Sequence, residues 1–122
     1  MTEVLVVDDD AVHALLAQTV LERAGFKVRR AVDGVGALEA LAADPLPGLV
    51  LLDVMLPRLD GFEVLRRLRA DARTRALPVI MVSSMSRDQD AARGRALGAA
   101  DYIVKPLMST DFLRRVRAAL QS

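Results

Sequence analysis

Five short apolar runs, each followed by a helical pattern, constrain the fold of this chain more than any other feature of its sequence. Most runs are uninterrupted and rich in Leu or β-branched residues, which is typical of strands buried on both faces of a parallel sheet. The second run contains Arg29 and Arg30, which favours a position at the edge of the sheet. The predicted strands are Val4–Val7, Lys27–Val32, Leu49–Leu52, Val79–Val82 and Tyr102–Val104.

The segments between these runs carry apolar residues at helical spacing. The first helix follows Asp10 as a predicted N-cap and stops before Gly25, which can adopt the left-handed conformation of a helix C-terminus. Asp60 and Thr110 are the predicted N-caps of the third and fifth helices. The predicted helices are Ala11–Ala24, Gly36–Ala43, Gly61–Ala70, Asp88–Leu97 and Phe112–Leu120.

The alternation of strands and helices predicts the α/β class, with a doubly wound parallel sheet of five strands in the order 2-1-3-4-5 and helices on both faces. The 122 residues fit one hydrophobic core, and no linker or change of composition divides them. We therefore expect a single domain over residues 1–122 with no further domain in this chain.

The composition excludes several classes of function. The chain has no cysteine and one histidine, His13, which rules out disulfides, thiolate catalysis and a cluster of histidines around a metal. The net charge of +1 gives no reason to expect nucleic acid or a membrane as the main partner. Because neither a signal peptide nor an apolar stretch of about 20 residues is present, a cytoplasmic location is expected. His13, on the first turn of a helix, is expected to be exposed.

Polar side chains stand where four of the predicted strands end, and ligands of open α/β sheets bind beyond these carboxyl ends. Crowded carboxylates repel one another unless a cation lies among them, and oxygen ligands suit a hard ion such as Mg²⁺. A carboxylate beside a metal can attack phosphorus, while a hydroxyl and an ammonium neutralise the charge of the transferred group. The pattern therefore indicates phosphoryl transfer to a carboxylate. The strand-end residues are Asp8, Asp9, Asp10, Asp53, Ser83, Ser84 and Lys105.

Four segments, in the same order along the whole chain, resemble the motifs of the receiver domains of two-component response regulators. The segments are Val6–Asp10, Leu51–Pro57 with Asp60 and Gly61, Pro78–Ser83, and Gly98–Pro106. The resemblance implies a flavodoxin-like fold with the strand order given above. It is consistent with a stand-alone regulator of the chemotaxis type, and the excised receiver of a larger regulator or hybrid kinase is the alternative.

The resemblance also implies a role for individual residues. Asp53 would be the phosphoacceptor, assisted by Lys105 and Ser83, and Ser83 and Tyr102 would act as switch residues. The bond between Lys105 and Pro106 would be cis. Asp9 would bind Mg²⁺ or Mn²⁺ directly, and Asp8 would act on it mainly through water. The full ligand set implied for this metal is Asp8, Asp9, Asp53 and the backbone carbonyl of Met55.

The implied function is that of a phosphoacceptor switch in a phosphorelay, and not of an enzyme in the usual sense, although the domain would assist its own phosphorylation and dephosphorylation. A histidine kinase or phosphotransfer protein would phosphorylate Asp53 in a Mg²⁺-dependent step. Phosphorylation would then change the surface of the fourth helix, fifth strand and fifth helix, and with it the binding of a downstream target protein or a second copy. The alternative is a pseudo-receiver that acts as an interaction module without phosphate.

Other phosphate-handling classes fit less well. A phosphatase with an aspartate nucleophile would need a second acid where Met55 stands. The glycine-rich motif of P-loop nucleotide hydrolases is absent from the sequence. A flavin-binding domain of the same topology would place a phosphate against Asp8, Asp9 and Asp10, which would repel it.

Overall fold

A computed structural model describes residues 2–85, 87–105, 107 and 110–121. Over these residues, strands and helices alternate along the chain as predicted. The strands are β1 (Glu3–Val7), β2 (Lys27–Ala31), β3 (Leu49–Asp53), β4 (Val79–Ser83) and β5 (Asp101–Val104). The helices are α1 (Ala11–Arg23), α2 (Gly34–Leu41), α3 (Gly61–Ala70), α4 (Asp88–Ala96) and α5 (Thr110–Gln121).

The five strands form one parallel sheet in the order β2-β1-β3-β4-β5, which confirms the predicted order. In the register of the sheet, Val7 pairs with Leu52, Asp53 with Val82, and Ser83 with Val104. Because these pairs all lie at the carboxyl ends of their strands, the residues that follow β1, β3, β4 and β5 meet at one edge. We call this the carboxyl edge.

The strands β1, β3 and β4 are the apolar centre of the molecule, and each has an almost entirely buried sequence. Alternate residues of these strands point to opposite faces. One face packs against α2, α3 and α4, and the other packs against α1 and α5. Burial of each Leu or Val side chain contributes roughly 1.5–3 kcal/mol to the free energy of folding. The ends of these strands are therefore held by a well-packed core. Strand β2 is partly exposed and lies at the edge of the sheet, as its arginines indicated.

The helix termini confirm some of the predicted boundaries and correct others. The Asp10 side chain caps α1, the Asp60 side chain caps α3, and Gly25 has a φ of 95°, as expected. Thr110 is not an N-cap, because its own backbone is already helical and it is the first residue of α5. Helix α2 begins two residues before its predicted start, because the Asp33 carboxylate accepts a hydrogen bond from Gly36 N and caps it. Among the described residues, none of the helices combines the length and the apolar character needed to cross a membrane.

Candidate functional site

Three charged side chains meet in the interior of the carboxyl edge. Lys105 Nζ lies 2.8 Å from Asp8 Oδ2 and 3.0 Å from Asp53 Oδ2. Each of the three side chains is only 8% exposed, so the ion pairs are largely withdrawn from water. Lys105 is brought here by β5, since Lys105 N donates to Ser83 O at the end of β4. The structure thus places together the strand-end carboxylates and the ammonium that the sequence analysis singled out.

Asp9 completes an acidic cluster at the mouth of this site. Carboxylate oxygens of Asp8, Asp9 and Asp53 lie within 4.8 Å of one another. Asp8 and Asp53 are buried, whereas Asp9 is exposed, so the cluster opens to solvent at Asp9. Three carboxylates at this spacing are a suitable donor set for a hard divalent cation, which takes oxygen ligands and retains water. We refer to Asp8, Asp9, Asp53 and Lys105 as the acid site.

The loop after β1 is fixed by its own carboxylates. Asp8 Oδ1 accepts a hydrogen bond from Asp10 N at 2.9 Å, while Asp10 Oδ1 accepts from Val12 N and His13 N in the first turn of α1. These contacts leave Asp8 Oδ2 to face Lys105. An N-cap of this kind typically stabilises a helix by about 1 kcal/mol, so the start of α1 and the orientation of Asp8 are set together.

Gly61 allows the chain to pass directly beneath Asp53. Its amide donates to Val54 O at 2.9 Å, and a Cβ atom added at this position would lie 2.2 Å from Asp53 O. Such a contact is far inside van der Waals distance, so only glycine fits without movement of β3 or α3. Asp53 itself is oriented by Met55 N, which donates to Asp53 Oδ1 at 3.1 Å.

Burial and the neighbouring lysine have opposite effects on Asp53. Removal from water raises the pKa of the Asp53 carboxyl above its usual value, and the hydrogen bond and charge of Lys105 offset part of this increase. For Lys105, burial alone would lower the pKa, but the contacts with Asp8 and Asp53 outweigh it, so the pKa of the ammonium is raised. The ammonium therefore stays charged and supplies a fixed positive charge beside Asp53.

The two predicted switch residues lie on the α4 side of the carboxyl edge and contact the same residue. Ser83 is 2% exposed, and its Oγ accepts a hydrogen bond from Met85 N at 3.0 Å. Tyr102 is 7% exposed, and its hydroxyl donates to Met85 O at 3.1 Å. The ring of Tyr102 is thus already directed inward, and both side chains hold the loop between β4 and α4. These side-chain hydrogen bonds are made to the backbone of Met85 and not to the side chains of the acid site.

Met55 lies beside the acid site, two residues after Asp53. Its side chain is 64% exposed and lies along an open cleft of about 450 Å³ beside Asp9. Its other lining residues are Val54, Leu56, Pro57, Asp60 and Phe62. The cleft beside Asp9 is therefore lined mainly by apolar residues, with Asp60 as a second acidic one.

The surroundings of His13 differ from what the sequence analysis indicated. Its side chain is 39% exposed, but its Nδ1 lies 3.2 Å from Lys105 Nζ. The position of His13 in the sequence could have indicated this contact. It lies on the first turn of α1, four residues after Asp9, and a side chain there points back toward the carboxyl edge. The expected cis bond to Pro106 lies outside the described residues.

The chain matches the family model described as "Response regulator receiver domain" over residues 4–117. It is 44% identical over 99% of its length to the DNA-binding dual master transcriptional regulator RpaA of Synechocystis, of which it covers 50%. It therefore spans about half of that relative. It is also 37% identical to Protein PilH of Pseudomonas aeruginosa, and 98% of each chain is covered.

The fold agrees with a solved structure of this family. The crystal structure of the Mn²⁺-bound form of response regulator Rcp1 superposes with a TM-score of 0.82 and 25% identity. The superposition covers 97% of this chain and 91% of Rcp1. Together with the strand order and the match over nearly the whole sequence, these similarities show that this chain belongs to the response regulator receiver domain family.

Proposed function

We propose that this receiver domain is a phosphoacceptor switch and that Asp53 takes the phosphoryl group. The observation that carries the proposal is the position of the Asp53 carboxylate between the Lys105 ammonium, 3.0 Å from Asp53 Oδ2, and the carboxylates of Asp8 and Asp9. A carboxylate in this setting has a fixed cation beside it and lies at the bottom of an opening lined by further oxygen ligands. Both features suit a group that must accept a phosphoryl group.

In the proposed reaction, an oxygen of Asp53 attacks phosphorus and forms a new P–O bond. The bond between phosphorus and the donor breaks, and its electron pair leaves with the donor. For a histidine kinase or phosphotransfer protein, the donor atom is an imidazole nitrogen. Lys105 neutralises part of the negative charge that the phosphoryl oxygens bring into the site. Met55 N, which donates to Asp53 Oδ1, keeps the carboxylate oriented.

The acid site also fits a divalent metal, and we propose Mg²⁺ or Mn²⁺. Asp8, Asp9, Asp53 and the backbone carbonyl of Met55 would hold it, with Asp8 acting mainly through water. The spacing of the three carboxylates supports this assignment, as does the Mn²⁺-bound form of the related Rcp1. When bound, the metal would offset the repulsion among the acids and draw the phosphoryl oxygens toward Asp53.

Ser83 and Tyr102 would transmit the phosphorylated state to the surface. Ser83 would lose its hydrogen bond from Met85 N and donate one from Oγ to a phosphoryl oxygen. The side chain of Tyr102 would then move into the space that Ser83 vacates. Because both residues hold Met85, this change would loosen or reposition the loop before α4. The surface of α4, β5 and α5 would then bind a downstream target protein or a second copy of the chain.

The test is intact-mass measurement after incubation with acetyl phosphate, with and without Mg²⁺. The wild-type protein should gain one phosphoryl group in a Mg²⁺-dependent way, and Asp53→Asn should gain none. Asp44→Asn, which changes an exposed aspartate on the loop after α2, should behave as wild type. A folded wild-type protein that gains no phosphoryl group with Mg²⁺ would indicate a phosphorylation-independent interaction module instead.

A further inference from the structure

We propose that His13 is a positioning residue for phosphorylation, because it provides the third hydrogen-bond acceptor for the Lys105 ammonium. This inference rests on the proposed function of Asp53. A lysine ammonium has three N–H donors and no acceptor. Lys105 Nζ lies 2.8 Å from Asp8 Oδ2, 3.0 Å from Asp53 Oδ2 and 3.2 Å from His13 Nδ1. Each donor therefore has an acceptor within hydrogen-bond distance.

The contact determines which nitrogen of His13 carries the proton. Since Lys105 Nζ can only donate, His13 Nδ1 must accept, and the proton of the neutral ring must be on Nε2. Asp10 Oδ2 lies 3.5 Å from the same Nδ1 atom, at the limit of hydrogen-bond distance. The ring thus faces the lysine with its lone pair, and its N–H points elsewhere.

The first turn of α1 holds His13 in this place. Asp10 caps the helix by accepting from His13 N, and Asp10 N in turn donates to Asp8 Oδ1. A side chain in the first turn of a helix points back toward the helix N-terminus, which here is the carboxyl edge of the sheet. His13 is therefore fixed relative to Asp8. Besides the phosphoacceptor Asp53, these are the two residues that contact the Lys105 ammonium.

The three acceptors differ in depth, and this difference gives His13 its role. Asp8 and Asp53 are 8% exposed, whereas the side chain of His13 is 39% exposed. His13 is consequently the most exposed of the three acceptors and contacts the ammonium from the solvent side of the site. It does so without a further negative charge that would repel a phosphoryl donor. When Asp53 Oδ2 is replaced by a phosphoryl oxygen as the partner of Nζ, Asp8 and His13 remain to hold the lysine.

The first arm of the test measures the contact by itself. Long-range ¹H–¹⁵N correlation spectra of the metal-free protein at about pH 8, where histidine side chains are ordinarily neutral, report the tautomer of the single His13 ring. We expect the Nε2–H form, and we expect the Nδ1 resonance to move when Lys105 is replaced by Met. A ring with its proton on Nδ1, or an Nδ1 resonance unchanged in Lys105→Met, would overturn the inference.

The second arm measures the consequence with acetyl phosphate and Mg²⁺. His13→Ala should phosphorylate about three- to tenfold more slowly than wild type, the range that corresponds to the loss of one ordinary hydrogen bond at a partly exposed position. His13→Asn should recover most of the rate, because Asn Oδ1 can accept where His Nδ1 does. Val12→Ala, at an exposed neighbouring position of α1, is the control and should match wild type.

The outcomes separate the two proposals. Equal rates for wild type and His13→Ala would overturn the positioning role while leaving Asp53 as the phosphoacceptor. A slow His13→Asn protein would also overturn it, since the acceptor atom would then not be what matters. If the wild type gains no phosphoryl group, the proposed function fails, and with it the effect on rate, whatever the tautomer of His13.

Discussion

On the α1 side of the carboxyl edge, charged groups hold the structure, with Lys105 in contact with two buried carboxylates. On the α4 side, neutral groups do so, with Ser83 and Tyr102 each making one hydrogen bond to the backbone of Met85. Helix α1 has a side-chain cap, whereas Arg87, the N-cap residue of α4, makes no side-chain cap hydrogen bond.

This difference indicates that the two sides of the carboxyl edge have different roles. Removing one partner of a buried ion pair leaves an uncompensated charge, which is costly. Removing one neutral hydrogen bond costs far less, about 1 kcal/mol. The α1 side is therefore suited to hold a fixed geometry for chemistry, and the α4 side is suited to rearrange when a small free-energy change favours it. The following predictions test this contrast.

The largest effect should come from Lys105→Met. It leaves Asp8 and Asp53 buried without their cation, so the free energy of unfolding should fall by about 3 kcal/mol in metal-free protein. Urea unfolding at pH 7 measures this. The chain's other lysine, Lys27, is exposed on β2, and Lys27→Met should change stability by no more than about 0.5 kcal/mol.

A double variant identifies the source of that loss. If charge is responsible, adding Asp53→Asn to Lys105→Met should restore part of the stability, because one of the two buried carboxylates is removed. A double variant less stable than Lys105→Met alone would show that unpaired carboxylate charge is not the source of the loss, and the contrast between the two sides would then lose its electrostatic basis.

Two glycines, Gly61 beneath Asp53 in the acid site and Gly94 in α4, allow a comparison of the same added methyl group. Gly61→Ala places a Cβ atom 2.2 Å from the backbone oxygen of Asp53, so it should destabilise the fold by about 2 kcal/mol. Gly94→Ala in α4 places a Cβ atom 3.3 Å from Met81 Cγ, a flexible side chain. In α4, the higher helix propensity of Ala should offset the cost of this close contact, so the free energy of unfolding should change by less than about 1 kcal/mol. Thermal unfolding of both variants measures the two costs, and equal costs would contradict the proposed rigidity difference.

On the α4 side, Tyr102→Phe removes only the hydroxyl that donates to Met85 O. We expect a loss of about 1 kcal/mol in the free energy of unfolding. Amide hydrogen exchange should accelerate in the loop between β4 and α4 and stay unchanged in the loop after β1. A loss as large as that of Lys105→Met, or exchange that accelerates equally on both sides, would show that the two regions form one unit.

The smallest effect is the pH dependence of stability, because Lys105 offsets part of the free-energy cost of burying the Asp53 carboxylate. Burial raises the pKa of Asp53 in the folded state above the value of 3.8 for a free side chain. The folded state therefore binds this proton more tightly, and stability falls as the pH rises from the unfolded pKa through the folded one. Asp53→Asn should remove this decrease and be the more stable protein at pH 7 without metal.

Urea unfolding of wild type and Asp53→Asn between about pH 4 and pH 7 tests the sign, since carboxyl groups titrate near the lower end of this range. The two curves should diverge as the pH rises. Tyr102→Phe, on the neutral side, should run parallel to wild type. Parallel curves for Asp53→Asn would show that Lys105 fully compensates the burial of the carboxylate.

Much of this molecule could be predicted from local patterns in the sequence. The uninterrupted apolar runs indicated β1, β3 and β4, and the arginines of β2 indicated an edge strand. Asp10 and Asp60 marked helix starts because a cap acts on amides within three residues. Asp8, Asp53, Ser83 and Lys105 could be grouped because the carboxyl ends of parallel strands meet at one edge.

Other features depend on contacts that no local pattern encodes. His13 and Lys105 are 92 residues apart in sequence, and their contact exists only because the cap of α1 and the end of β5 meet. Tyr102 and Met85 are 17 residues apart, and the shared attachment of Tyr102 and Ser83 to one loop residue depends on how that loop folds over β5. The charged residues and the ends of the strands could thus be read from residue types and their order alone. Which of these groups touch depends on the folded chain, since side-chain contacts across strands are set by register and packing.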